Sequence, residues 1–321
     1  MPRSGSRAFS GPNAIPASIA MTCALAVCFL AAGCGLSPLN KHATAFSSAA
    51  GLVVDNSEDA YRAAIALRNK EQAAAAVYDY DKNPTWSPYK DTKPLLTPDQ
   101  LAARIEVLDG LKAYAATLVD LTSTKPSDET EDAAAAAGAN LLSLNQSVAT
   151  ALATEVPNAP VMSASNANAA STAILALAEY LKARKVKGSL PKVTQDMNTS
   201  VQTLCELLNS DINVLRHQAD VDYQTLVTDL DLSIRHEGTT VTPYEHRLEV
   251  ATLIELANQQ KANDELLAKL QAALHTLELT HQALAAAAQG NNPESISQKI
   301  AELQAAGKDL NAYYKSLSAT Q

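Results

Sequence analysis

The chain has 321 residues, enough for one large or two ordinary domains and a sizeable core. Its 11 glycines and 4% aromatics, in a chain rich in Ala, Leu, Gln, Glu and Lys, exclude collagen-like and disulfide-scaffold classes. They also weigh against a β-sandwich or barrel, which needs glycine-rich turns and β-branched strands. The formal net charge of −9 weighs against a nucleic-acid groove, so no nucleic-acid partner is expected. An all-α protein remains.

No Lys, Arg, Asp or Glu occurs between Arg7 and Lys41. Within that gap lies the apolar run Ile19 to Leu30, preceded by Arg3 and Arg7 and followed by Ala31-Ala32-Gly33 and Cys34. A basic start, a short apolar centre and a small-residue exit make a secretory signal. The run is too short for a comfortable membrane span, which takes about 20 residues. Pro12 and Pro16 stop it from extending backwards.

Leu30-Ala31-Ala32-Gly33-Cys34 resembles the lipobox of bacterial lipoproteins. The resemblance covers about the first tenth of the chain, and Leu30 stands one place further from the cysteine than in the commonest form. It implies cleavage before Cys34, a diacylglyceryl group on its sulfur and acylation of its new amino group. Gly35, where aspartate would retain the protein, implies sorting to an outer membrane, facing the periplasm. Three acyl chains hold firmly where one is marginal. Residues 1–33 are then a signal peptide, 34–38 a lipidated tether and 39–321 a single helical bundle domain.

Cleavage removes Arg3, Arg7, Cys23 and Cys28, so the mature balance is 23 minus 34, or −11. With Cys34 lipidated, Cys205 is the one remaining thiol, and burial is its expected state.

Prolines mark helix starts and linkers, because proline breaks a helix interior yet suits its first position. Gly188, Gly238 and Gly290 precede Pro191, Pro243 and Pro293, the order expected at helix–helix connections. Thr97-Pro98-Asp99-Gln100 and Thr242-Pro243-Tyr244-Glu245 both fit a capping box. These signals predict helices near 39–81, 98–123, 127–154, 163–187, 191–236, 243–289 and 293–318. Met197, Val201, Leu204, Leu208, Ile212, Leu215, Ala219, Tyr223, Leu226, Leu230 and Ile234 form one stripe on helix 191–236. Leu267, Leu270, Leu274, Leu277, His281, Leu284 and Ala288 follow a heptad rhythm on helix 243–289. A short link makes these two helices an antiparallel hairpin, around which an elongated antiparallel bundle is expected.

Catalytic signatures are missing. The chain has no Gly-x-Ser-x-Gly elbow, no glycine-rich phosphate loop, no His-Glu-x-x-His and no Cys-x-x-Cys. No enzyme activity and no cofactor are expected. Glu278-Leu-Thr-His281 offers a Glu-x-x-His pair, although His281 also falls on the heptad seam as a core residue would. If the hairpin turns near residue 240, partners across it sum to about 480, which sets Cys205 beside His275 with Glu278 one turn along. Cys205, His275, Glu278 and His281 therefore define an alternative reading as a metal- or small-ligand-binding bundle, with zinc as the natural soft metal.

Tyr78, Tyr80, Trp86 and Tyr89 gather at the end of the first long helix and in the loop 82–96, and they include the only tryptophan. Such a loop on a rigid scaffold suits recognition of an envelope protein, a peptide or a glycan. The same residues can instead plug one end of the bundle. Lys261, Asp264, Glu265 and Lys269 read as a solvated face with i,i+4 pairing. The leading expectation is a lipid-anchored, non-enzymatic scaffold or interaction module.

Overall fold

The computed structural model describes residues 38–122, 164–182, 190–237, 242–291 and 293–318, with isolated positions between 135 and 151. Cys34 and the signal segment lie outside the described residues, as does most of the expected helix 127–154. Residues 38–321 form one compact unit. Its elements are α1 (Pro38–Lys82), α2 (Pro88–Asp91), α3 (Pro98–Thr122), α4 (Ala164–Lys182), α5 (Leu190–Glu237), α6 (Pro243–Ala288) and α7 (Pro293–Ser318). The protein is all-α, with no strand among the described residues. No described helix is long and apolar enough to cross a membrane.

Five of these helices begin on a proline, whose missing N–H falls among donors that a helix start leaves unpaired anyway. Thr242 caps α6 through a full capping box: its hydroxyl accepts from Glu245 N while Glu245 returns a bond to Thr242 N. Thr97 and Gln100 make the same reciprocal pair at α3. At the end of α6, Gly290 takes a φ of +85°, a left-handed conformation that suits a residue without a Cβ. Loop 82–96 departs from the expectation of an unbroken loop. Pro88 starts the single turn α2, and the Asp91 carboxylate accepts from Ser87 N to hold it.

Helices α5 and α6 share the most extensive interface. Gln271 donates to Asn209 O, Arg216 grips Asp264 and Gln260 donates to Asp220. Each pair sums to 480, so the two helices run antiparallel in one constant register. Asp264 thus differs from the expected i,i+4 partner of a solvated face, because its carboxylate crosses to α5. Glu265 and Lys269 do pair along their own helix, at 3.7 Å.

Against this pair lie α1, α3 and α7, with α4 on the flank formed by α3 and α5. Asn40 donates to Thr122 Oγ1 at 2.9 Å and Lys112 meets Asp55 at 2.6 Å, which sets α1 antiparallel to α3. Thr280 donates to Lys299 O and Tyr313 OH to Glu265, which sets α7 antiparallel to α6. In that register the last turn of α7 lies level with about residue 260 of α6.

The interior holds Phe46, Val53, Leu108, Leu118, Ile174, Leu177, Leu204, Leu215, Leu270 and Leu274, all at most 2% exposed. Full burial of such a side chain stabilises by about 1.5–3 kcal/mol. Most of the predicted α5 stripe is buried, with Met197, Tyr223 and Leu230 half-buried. On α6 the heptad positions Leu267, Leu270, Leu274, Leu277, His281 and Leu284 are all buried. Small residues set the closest approaches. A Cβ on Gly138 would lie 2.8 Å from Ala178 O, Leu181 Cβ and Lys182 N, so this position packs directly on the backbone of α4. A Cβ on Gly307 of α7 would meet Leu52 Cβ of α1 at 3.1 Å.

Candidate functional site

Three polar clusters cross the core, and of their members only His281 stands on an apolar stripe readable in the sequence. In the first, Arg104 of α3 donates from Nε and from a terminal nitrogen to the two carboxylate oxygens of Asp211 on α5, at 2.6 and 2.8 Å. Its other terminal nitrogen donates to Gln100 O at 3.0 Å. Tyr61 of α1 donates its hydroxyl to Asp211 at 2.7 Å, and the guanidinium stands 5.7 Å from the Tyr61 ring centre. Burial, with the Asp211 charge adding to it, pushes the Tyr61 phenol well above its usual range. Burial opposes the Arg104 charge, yet Asp211 outweighs it and raises the guanidinium pKa. The pair is sealed from solvent.

In the second cluster Arg68 of α1 reaches Asp222 of α5 at 2.8 and 3.1 Å, and Gln218 donates to the same carboxylate. Burial raises the Asp222 pKa, against the pull of the Gln218 bond and of Arg68. The third cluster surrounds His281. Burial lowers its pKa to about 4, so the ring is neutral near pH 7. Asn198 Oδ1, 3.1 Å away, can only accept, so Nδ1 carries the proton. The Tyr114 hydroxyl then donates to Nε2 at 2.8 Å, with the Phe46 ring alongside. The Arg104 and His281 clusters are hydrogen-bonded among their own members, whereas one terminal nitrogen of Arg68 is buried without a hydrogen bond and meets Asp222 as an ion pair alone.

The four candidate metal ligands do not converge. Cys205 is buried, and burial followed by the charges of Glu278 and Glu206 drives its thiol well above the usual range, the reverse of a thiolate ligand. His275 holds the matching register position, yet its side chain is 59% exposed and meets Glu278 at 3.4 Å. His281 is committed to Tyr114 and Asn198. Register aligns Cα atoms across a hairpin but leaves side chains free to diverge. Among the described residues no group of three or more His, Cys, Asp or Glu can hold a metal ion.

The aromatic loop corrects the idea of a buried plug. Tyr89 is 96% exposed and Tyr80 68% exposed, with Trp86 between buried and open. The side chain of Tyr78 lies outside the described residues. Leu95 and Leu96 are the loop residues that enter the core. Local bonds shape the segment. Asn83 Oδ1 accepts from both Thr85 N and Thr85 Oγ1, and Trp86 N donates to Asn83 O. Trp86 stands edge-on to Tyr80 with ring centres 6.1 Å apart. The Gln72 side chain of α1 pins the returning strand of chain, accepting from Lys93 N at 2.9 Å while donating to Lys93 O. Between α1 and this segment lies a shallow groove of about 610 Å³, lined by Asn69, Gln72, Ala73, Ala76, Trp86, Thr92 and Pro94. Sequence reasoning found Trp86 but missed the α1 residues facing it, since Ala73 and Ala76 read as helix filler.

A second exposed apolar set lies on the start of α6. Tyr244, Leu248 and Ile254 are all more than half exposed, because α7 ends before reaching them. Compared with known proteins, the chain matches no family model, no curated protein and no solved structure.

Proposed function

We propose that this chain is a lipid-anchored envelope protein, acylated at Cys34, that works as a non-enzymatic scaffold or interaction module facing the periplasm. The observation that carries the reading is the placing of the exposed aromatics. The helix α1 runs 45 residues from Pro38 to Lys82, about 66 Å, and leads into the Trp86 loop. Tyr80, Trp86 and Tyr89 stand at that far end on a scaffold pinned by Gln72 and Asn83. Aromatic side chains held rigidly cost little ordering entropy on binding, which favours recognition. Arg104, Asp211, Tyr61 and His281 are bonded to buried partners, which supports a role without catalysis.

Two measurements test the reading. The intact mass of protein extracted from its own membranes is expected to equal residues 34–321 plus three acyl chains, and Cys34→Ala is expected to abolish that species. An unlipidated mass overturns the anchor. A photo-crosslinker at Tyr89 is expected to capture an envelope component that the same probe at Lys41, near the start of α1, does not. Equal capture from both positions overturns the assignment of the contact surface.

A further inference from the structure

Helix α7 leaves part of its seat on α6 open. It meets α6 at Thr280, which donates to Lys299 O at 3.2 Å, and at Glu265, which accepts from Tyr313 OH at 3.4 Å. Steps of three and four from Glu265 toward the start of α6 reach Ala262, Asn258, Ile254, Ala251, Leu248 and Tyr244, the same stripe continued. The last turn of α7 lies level with about residue 260, so about 26 Å of that stripe, from Pro243 onward, extends past its end. Tyr244 is 64%, Leu248 51% and Ile254 58% exposed there. A stripe that seats an antiparallel helix along one half is shaped to seat another along the rest.

The start of α6 in a second copy supplies such a helix, apolar on the matching face and as long as the open seat. Laid antiparallel to α6 with its Pro243 where α7 ends, it continues the line of α7. The two-fold axis then falls beside Ala251, whose small side chain lets the helices approach closely. Leu248 stands level with Ile254 of the second copy, and Arg247 with Glu255 of the second copy. Opposite charges thus share a height, while like charges lie about 12 Å apart along the axis. A lipid surface is the poorer occupant. Residues 243–261 carry Glu245, Glu249 and Glu255 against Arg247 and Lys261, whereas anionic membranes attract an excess of Lys and Arg.

We infer that the start of α6 is a self-association surface, on which two copies of this chain pair antiparallel about a two-fold axis beside Ala251. The seat is short, so the pairing is of the weak, reversible class and chains in dilute solution are single. The inference stands apart from the proposed anchor and from the Trp86 surface.

Disulfide trapping of the full-length chain in the cells that make it tests the pairing, since Cys205 is buried and the introduced thiol is the reporter. Ala251, Tyr244 and Asn258 are exposed, so cysteine at any of them leaves the core intact. With a mild oxidant, Ala251→Cys is expected to give a covalent dimer about fivefold or more above the wild-type chain, Tyr244→Cys or Asn258→Cys. The pairing holds the thiols of those last two variants about 21 Å from their counterparts, far beyond disulfide reach. Adding Ile254→Glu to Ala251→Cys buries an unpaired charge in the contact and is expected to lower that dimer about fivefold while helicity holds. No dimer from Ala251→Cys overturns the inference. Equal dimer from Tyr244→Cys does so too, since it would mean parallel pairing or random collision, as does a dimer that Ile254→Glu leaves unchanged.

Discussion

Arg104 and Asp211, 107 residues apart in sequence, form a two-bonded ion pair in which each side chain is 1% exposed. Tyr61 adds a third bond to the same carboxylate, so one buried anion joins α1, α3 and α5. Removing one member leaves the other charged in an apolar surround. Asp211→Ala is expected to cost about 3–5 kcal/mol. Replacing the set together, as Tyr61→Phe, Arg104→Met and Asp211→Leu, is expected to cost less than that single change. Urea unfolding followed by circular dichroism checks the order; a triple variant less stable than Asp211→Ala would contradict it.

The neutral His281 makes stability depend on pH with a definite sign. Its pKa is lowered from 6.5 to about 4 by burial, so between those values the unfolded chain binds the extra proton. Stability contributed by this site is whole above pH 6.5 and declines as pH falls toward 4, by about 3 kcal/mol in all. His281→Gln is expected to lower stability at pH 7 yet flatten the slope between pH 6.5 and 4. Denaturation midpoints of both proteins across that window provide the comparison.

Gly138 and Gly307 separate two kinds of close approach. Alanine normally gains about 1 kcal/mol over glycine inside a helix. At Gly138 the new methyl would meet backbone atoms of α4 at 2.8 Å, so Gly138→Ala is expected to destabilise, by about 1–3 kcal/mol. At Gly307 the nearest atom is Leu52 Cβ, which alanine keeps, so Leu52→Ala in the same chain is not expected to relieve a strained Gly307→Ala. Thermal melts of the two single variants and the double variant decide both statements.

Cys205 is expected to resist alkylation in the folded protein. A buried thiol with a raised pKa reacts through opened states alone, slower than in urea by at least about a hundredfold. Mass spectrometry after an iodoacetamide pulse reads this directly, and rapid labelling in buffer would place the thiol at the surface.

On α6 the first four turns should tolerate change on the bare side only. Leu248→Gln is expected to shift stability by less than about 0.5 kcal/mol. Leu256→Ala, eight residues on and 5% exposed, is expected to cost about 2 kcal/mol or more. Similar costs at the two positions would mean that the outer face is covered.

Helix boundaries were legible because their causes are local. A proline, a capping threonine and a following Glu or Gln act within four residues, which is why Thr97 and Thr242 stand where the pattern places them. The apolar stripe of α5 was legible for the same reason, since Val201 to Ile212 need only a core somewhere on that side. Asp211 and Asp222 were not. A lone carboxylate in a helix looks solvated until a guanidinium from another helix is known to face it. The metal candidates failed on the converse point: alignment of Cys205 with His275 was readable, but the directions of their side chains depend on neighbours distant in sequence. Trp86 could be singled out by rarity, whereas its groove needed the fold to bring Asn69 and Ala73 beside it.

The early end of α7 has a consequence for motion. Along the first turns of α6, Glu249, Leu253 and Leu256 are the more sheltered positions, and their spacing of four and three places them on one face. Among the described residues α7 ends short of this part of α6, whereas it packs on the rest of the helix. Amide protons of residues 244–255 should therefore exchange with solvent well before those of 266–284, so that the bundle loosens from one end while its middle stays shut.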